Sequence, residues 1–169
     1  MQSKLYYLFS RNKKVGSKVI AWASGLLLKD LEKTPSHGAI LIEFSTSESI
    51  VFESTLESGV RLVPYSKWLN INELCYKITP KKQPSESEIF QEINNLWGKS
   101  YDFKGILYFA YCFVKVLYFK SKFPNKNKWE SGDKFYCLEA MFNLTNYDKS
   151  GMVTPAKMCL DLMKRENNG

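Results

Sequence analysis

Thr34-Pro35-Ser36-His37-Gly38-Ala39-Ile40-Leu41-Ile42-Glu43-Phe44 is a proline-centred break running directly into a β-rich stretch. The residue before a proline avoids the α region, so a helix cannot pass through Thr34. Gly38 to Phe44 then reads as a strand, with His37 at its very start. Ser45 to Ser49 is a polar turn, Ile50 to Ser54 a second strand, and Val60 to Val63 a third, separated by Gly59 and stopped by Pro64. Glu73 to Thr79 alternates Leu74, Tyr76 and Ile78 against polar neighbours, the pattern of a half-buried strand. Strands joined by such short connections are expected to form an antiparallel meander.

On the N-terminal side, residues 5–9 read as a short strand bounded by the basic turn Arg11 to Lys14. From Gly16 to Leu31 the apolar positions Val19, Ile20, Trp22, Ala23, Leu26 and Leu27 recur at helix spacing, with Gly25 as a candidate interruption. The C-terminal half is helical. Ser85 and Glu88 form a capping box for a helix through Trp97, with Ile89, Ile93, Leu96 and Trp97 on one face and Gly98 closing it. Phe103 to Phe119 is a long apolar stretch. Asp133 can cap a helix carrying Tyr136 to Leu144, and Thr154-Pro155 starts a last helix. The expected class is therefore α+β, a small antiparallel sheet packed against helices, in one domain over residues 1–169.

Composition agrees with this. The chain has 169 residues, 44% of them hydrophobic and 15% aromatic, too apolar for a disordered chain and long enough to bury a core without disulfide or metal staples. Its net charge of +7 is spread along the sequence, with clusters at Arg11 to Lys14 and Lys120 to Lys128. Spread lysines do not indicate a specific nucleic-acid partner. They are either solvated or attract the chain to an anionic surface such as a cell wall or membrane. Cys75, Cys112, Cys137 and Cys159 include no C-x-x-C pair, and His37 is the only histidine, so no zinc site, other metal or cofactor is expected. The N-terminus lacks signal-peptide character, which leads to the expectation of a reducing cytoplasm, the chain being either a cytoplasmic protein or a phage product acting in or released from its host.

The chemistry centres on His37 and a thiol. A cysteine nucleophile needs a lowered pKa, which a helix N-terminus supplies. Cys137 is placed in the first turn of the helix after Gly132-Asp133. Cys112 and Cys159 fall on apolar stripes, and Cys75 has no helix end beside it. A Cys137–His37 dyad is the expected arrangement, although Cys137 also shares a core-facing stripe with Ala140, Met141 and Leu144. An orienting carboxylate is the third member. Glu43 is six residues along the strand, ~20 Å at ~3.4 Å per residue, and cannot reach. Glu53 shares the His37 face if odd residues pair with odd ones, and Glu57 meets the same condition if the hairpin centres near Ser47.

The order of these segments resembles the circularly permuted NlpC-type cysteine peptidases, the YiiX-like branch of the papain-like fold. Four segments carry the likeness: Ser36-His37-Gly38-Ala39-Ile40; Ile50-Val51-Phe52-Glu53-Ser54 followed by Gly59-Val60 and Val63-Pro64; Tyr101-Asp102-Phe103; and Phe135-Tyr136-Cys137-Leu138-Glu139. The resemblance implies Cys137 as nucleophile, His37 as general base and Glu53 rather than Glu57 as the orienting carboxylate. The chain departs from the family pattern at Lys4-Leu5-Tyr6, where a Gly-Asp is common, and at Leu138, where serine is usual. The expected activity is hydrolysis of a peptide, γ-linked or isopeptide amide, including cell-wall peptide, through an acyl-enzyme. The alternatives are a lipid-directed acyltransferase or thioesterase, with an acyl-containing substrate, and a non-catalytic binding or structural protein on the same fold. Tyr6, Tyr7 and Ser36 are candidates by position for a second oxyanion donor. Gly105 to Phe119 is too short to span a bilayer and reads as a buried helix or as an aromatic, lipid-facing surface flanked by lysines.

Overall fold

A computed structural model describes residues 3–27, 30–45, 47–120, 124, 134–135, 137–138, 141, 144 and 153–167. In chain order the elements are β1 (Lys4–Asn12), α1 (Val15–Leu27), β2 (His37–Glu43), β3 (Ile50–Thr55), β4 (Gly59–Pro64), α2 (Tyr65–Ile71), β5 (Asn72–Ile78), α3 (Glu86–Leu96), β6 (Ser100–Tyr101), α4 (Phe103–Phe119), β7 (Lys134–Phe135) and α5 (Pro155–Asn167). The class is α+β. Five antiparallel strands form one sheet in the order β4-β3-β2-β1-β5, and β6 and β7 form a short parallel pair.

The meander expected from the short connections holds for β2 to β4 but not for β5. Instead of continuing beside β4, β5 pairs with β1 at the opposite edge, with Tyr7 opposite Ile78 and Arg11 opposite Glu73. The cause is α2, which the sequence pattern does not reveal. Pro64 reads only as a strand stop, and the seven residues of α2 bury a single large side chain, Trp68. One anchor gives no period, yet it suffices to lay the helix across the sheet face and deliver the chain to the far edge.

The sheet buries both faces. On one, Phe9, Ile40, Ile42 and Phe52 pack with Leu138, Met141, Ile89, Ile93, Met158 and Leu162. On the other, Leu8, Ala39, Leu41 and Val51 surround Trp68. The capping box of α3 is formed: Glu88 N–H donates to Ser85 Oγ at 3.3 Å and Ser85 N–H to Glu88 Oε2 at 2.7 Å. Ile89, Ile93 and Leu96 are buried, but Trp97 is exposed, contrary to expectation. It is the C-cap residue, with φ −54° and ψ 130°, so it has left the helical stripe, and Gly98 takes φ +73° to turn the chain. The first helix does not reach Leu31: its described residues are Val15–Leu27, while Asp30 and Leu31 are non-helical, and it runs through Gly25, where a Cβ would meet Thr34 Oγ1 at 3.2 Å. The last helix starts at Pro155 as expected, with Thr154 Oγ1 accepting from the Lys157 N–H at 3.1 Å. Among the described residues no helix is long and apolar enough to cross a membrane.

Candidate active site

Three features of β2 place His37. Ser36 N–H donates to Ser10 O at 2.9 Å, fixing the chain just before the strand. Ser10 then lies opposite His37 in the β1–β2 register. Gly38 follows, and a Cβ there would stand 2.6 Å from Leu138 Cδ2 and 2.8 Å from Met141 Sδ. The Leu138 and Met141 side chains are therefore pressed against the start of β2, and a Cβ at position 38 would require their ends to shift.

The β2–β3 register pairs Ile40 with Phe52, Leu41 with Val51 and Ile42 with Ile50, so odd residues oppose odd ones. That parity puts Glu53 on the His37 face, and the two side chains meet: His37 Nε2 and Glu53 Oε2 are 2.8 Å apart. Glu57 instead pairs with Lys14 at the surface and is 70% exposed. Glu43, at the other end of β2, pairs with Lys77 at 2.6 Å.

Glu53 is 1% exposed and accepts three further hydrogen bonds. Arg61, opposite it on β4, donates Nε–H at 3.0 Å and Nη2–H at 2.8 Å to Oε1, and the Trp68 indole N–H donates to Oε2 at 2.9 Å. Sequence reasoning missed both donors. Arg61 was legible in principle, since a hairpin closing through Thr55 and Gly59 sets it opposite Glu53. Trp68 had no signal because α2 had none. Burial works against ionising Glu53. The hydrogen bond and charge of His37, then Arg61 and Trp68, outweigh it and hold the carboxyl down at about 2.

His37 interacts with Cys137 as well as with Glu53, and Nε2 is the ring nitrogen that faces Glu53. Burial lowers the imidazole pKa, but the hydrogen bonds and charges of Cys137 and Glu53 prevail and raise it to about 10. The imidazole is 15% exposed, so the strand end stays reachable while the carboxylate behind it does not.

Cys137 differs from expectation in its local setting. The segment 134–135 is strand β7, paired with β6 through Tyr101 and Phe135, so the chain is extended immediately before the site. Cys137 and Leu138 form a turn, Met141 N–H donates to Leu138 O at 2.8 Å, and Met141 and Leu144 are helical. The thiol thus precedes the helical residues instead of lying in a first full turn. Asp133 and Tyr136, expected to cap and open that helix, lie outside the described residues. The other cysteines stand apart: Cys75 is half-buried in β5, Cys112 is buried on α4, and burial pushes the Cys159 thiol up to about 12.

Of the candidate oxyanion donors, Tyr6 and Tyr7 lie opposite Leu41 and Ile40, well down β2 from His37. Ser36 adjoins His37, and its hydroxyl is 2.5 Å from that of Ser17 on α1. Ser17 also lines an open cleft of about 920 Å³, walled by Arg11, Lys13, Lys14 and Lys18 on one side and Leu69 and Ile71 on the other. Among the described residues no three His, Cys, Asp or Glu side chains cluster so as to hold a metal ion. The site therefore offers a thiol beside an imidazole that is hydrogen-bonded to a buried, ionised carboxylate. A scan against protein-family models finds no match for this chain, and a search of curated proteins finds none.

Proposed function

We propose that this protein is a cysteine hydrolase of the circularly permuted, NlpC-type papain-like fold, acting on a peptide, γ-linked or isopeptide amide. One observation carries the reading: the sole histidine interacts with a cysteine 100 positions away in the chain and hydrogen-bonds a buried carboxylate. A thiol and a carboxylate on one imidazole are what a nucleophile–base–orienter relay requires.

In this reading His37 takes the Cys137 proton, and the thiolate adds to the substrate carbonyl. The Cys137 backbone N–H receives the developing oxyanion, a donor worth ~2.7–4 kcal/mol in comparable sites. The His37 imidazolium returns its proton to the leaving amine as the tetrahedral intermediate collapses to a thioester. Water, deprotonated by His37, then releases the acid and regenerates the thiol. Glu53 stays ionised throughout, holding the Nε2–H tautomer and stabilising the imidazolium. Four unpaired thiols suit a reducing compartment. Transfer of the acyl group to an acceptor other than water is the second reading, favoured by the apolar surface of α4 described below.

The test is a peptidyl electrophile directed at thiols. At pH 7 it should label Cys137 alone, and labelling should vanish in His37→Ala and His37→Gln. Equal labelling of Cys75 and Cys137, unaffected by His37, would reduce the fold to a binding or structural role.

A further inference from the structure

We infer that α1 and α4 together form a docking face for an anionic membrane surface. Along α4, Leu107, Tyr111, Val114 and Tyr118 are spaced four, three and four residues apart and are all exposed, while Tyr108 and Cys112 on the opposite side are buried. Tyr118 is 78% exposed. On α1, Val19 and Trp22 are exposed too, Trp22 by 59%, and its ring meets Phe113 edge-on at 6.0 Å between centroids. That contact sets the exposed Trp22 against the flank of α4, so that both helices bring exposed apolar side chains to neighbouring faces.

Within the two helices the charge has one sign. Lys18 on α1, Lys104 and Lys115 on α4, and Lys120 at its end are exposed, and neither helix contains a single Asp or Glu. Tryptophan and tyrosine favour the headgroup boundary, and lysines beside them favour anionic lipids. A second copy of this chain fits poorly, because two-fold pairing would set lysines against lysines. A soluble polyanion would meet the charge but give the aromatic rings no apolar phase. With 17 residues, α4 is ~25 Å long at ~1.5 Å per residue, short of a ~30 Å hydrocarbon core, so it lies along the surface.

Flotation of the full-length Cys137→Ala protein with vesicles tests this without involving the hydrolase reading, since the variant has no nucleophile. The protein should float with phosphatidylcholine vesicles containing phosphatidylglycerol, much less with phosphatidylcholine alone, and less as salt rises. Adding Trp22→Ser and Tyr118→Ser should weaken binding at least tenfold, whereas Leu56→Ser with Phe90→Ser, exposed apolar residues elsewhere, should leave it unchanged. Lys104→Glu with Lys115→Glu should reproduce the loss, which keeps the inference testable if the first pair impairs folding. No flotation with anionic vesicles, equal loss from both apolar pairs, or a dimer that Trp22→Ser with Tyr118→Ser dissolves would overturn it.

Discussion

Replacing Glu53 by glutamine removes one charge and exchanges an acceptor oxygen for a donor in a group that accepts hydrogen bonds from His37, Arg61 and Trp68. The amide can settle two ways. With its oxygen toward Arg61, its NH2 faces the Trp68 indole N–H, and a buried donor loses its acceptor. With its oxygen toward Trp68 and His37, its NH2 faces the guanidinium. An unsatisfied buried donor costs ~1–3 kcal/mol, so Glu53→Gln should lose about that much stability in urea unfolding. The chemical effect is common to both orientations: the His37 imidazolium loses its counter-charge. Glu53 is one of two partners raising the His37 pKa to about 10. Loss of one to two units, at ~1.36 kcal/mol each, shifts the balance between the imidazolium–thiolate pair and the neutral pair by ~10–100-fold. The assay is the rate of alkylation by iodoacetamide at pH 7, resolved by peptide mass spectrometry. Cys137 should react more slowly in Glu53→Gln, by at most ~10–100-fold, with Cys75, whose thiol is raised mainly by burial, as the internal reference. An unchanged Cys137 rate in a variant of wild-type stability would refute the role given to Glu53.

Gly38→Ala should cost ~1–3 kcal/mol, because the new Cβ forces the buried Leu138 and Met141 side-chain ends to repack. Gly16→Ala, in an open position on α1, should stabilise the fold by ~0.5–1 kcal/mol, and urea unfolding of the two variants separates collision from helix propensity. Trp68→Phe should keep the packing under Leu41 and Val51 but remove the 2.9 Å hydrogen bond, so the Glu53 carboxyl should titrate above its value of about 2 when followed by NMR. For pH, a base raised from 6.5 to about 10 contributes fully below pH 6.5 and loses that contribution as pH climbs through 10, whereas an acid lowered from 4.5 to about 2 contributes fully above pH 4.5 and loses it as pH falls through 2. The stability difference between wild type and His37→Ala should therefore be largest between about pH 4.5 and 6.5 and shrink at both ends; a flat difference across pH 6.5 to 10 would contradict the assigned pair.

Local patterning was sufficient for most elements because each carries its own signal. The β-rich runs after Pro35 and Ser49 became β2 and β3, the Ser85–Glu88 box opened α3, and Thr154-Pro155 opened the last helix. The candidate site was legible as residue types in suitable places: an imidazole at a strand start, a thiol after a Gly-Asp break, and a carboxylate whose usefulness depended on parity. Parity is where local information ended. Register is set by how two strands pack as a pair, so residue patterning left Glu53 and Glu57 level; the resemblance favoured Glu53, and the fold bonds Glu53 to His37 and Glu57 to Lys14 at the surface. The same holds for Trp68, whose seven-residue helix has no period of its own, and for β5, carried by that helix to the β1 edge. Periodicity also states that Val19, Trp22 and Tyr118 lie on apolar stripes, but not whether anything covers them; tertiary packing left them exposed. The sequence by itself determined the α+β class and the kinds of reactive side chain available. The tertiary structure decided that Cys137 lies beside His37 and that Glu53 bonds it, because contacts across 100 residues depend on the packing of the whole sheet and not on any neighbour in the chain.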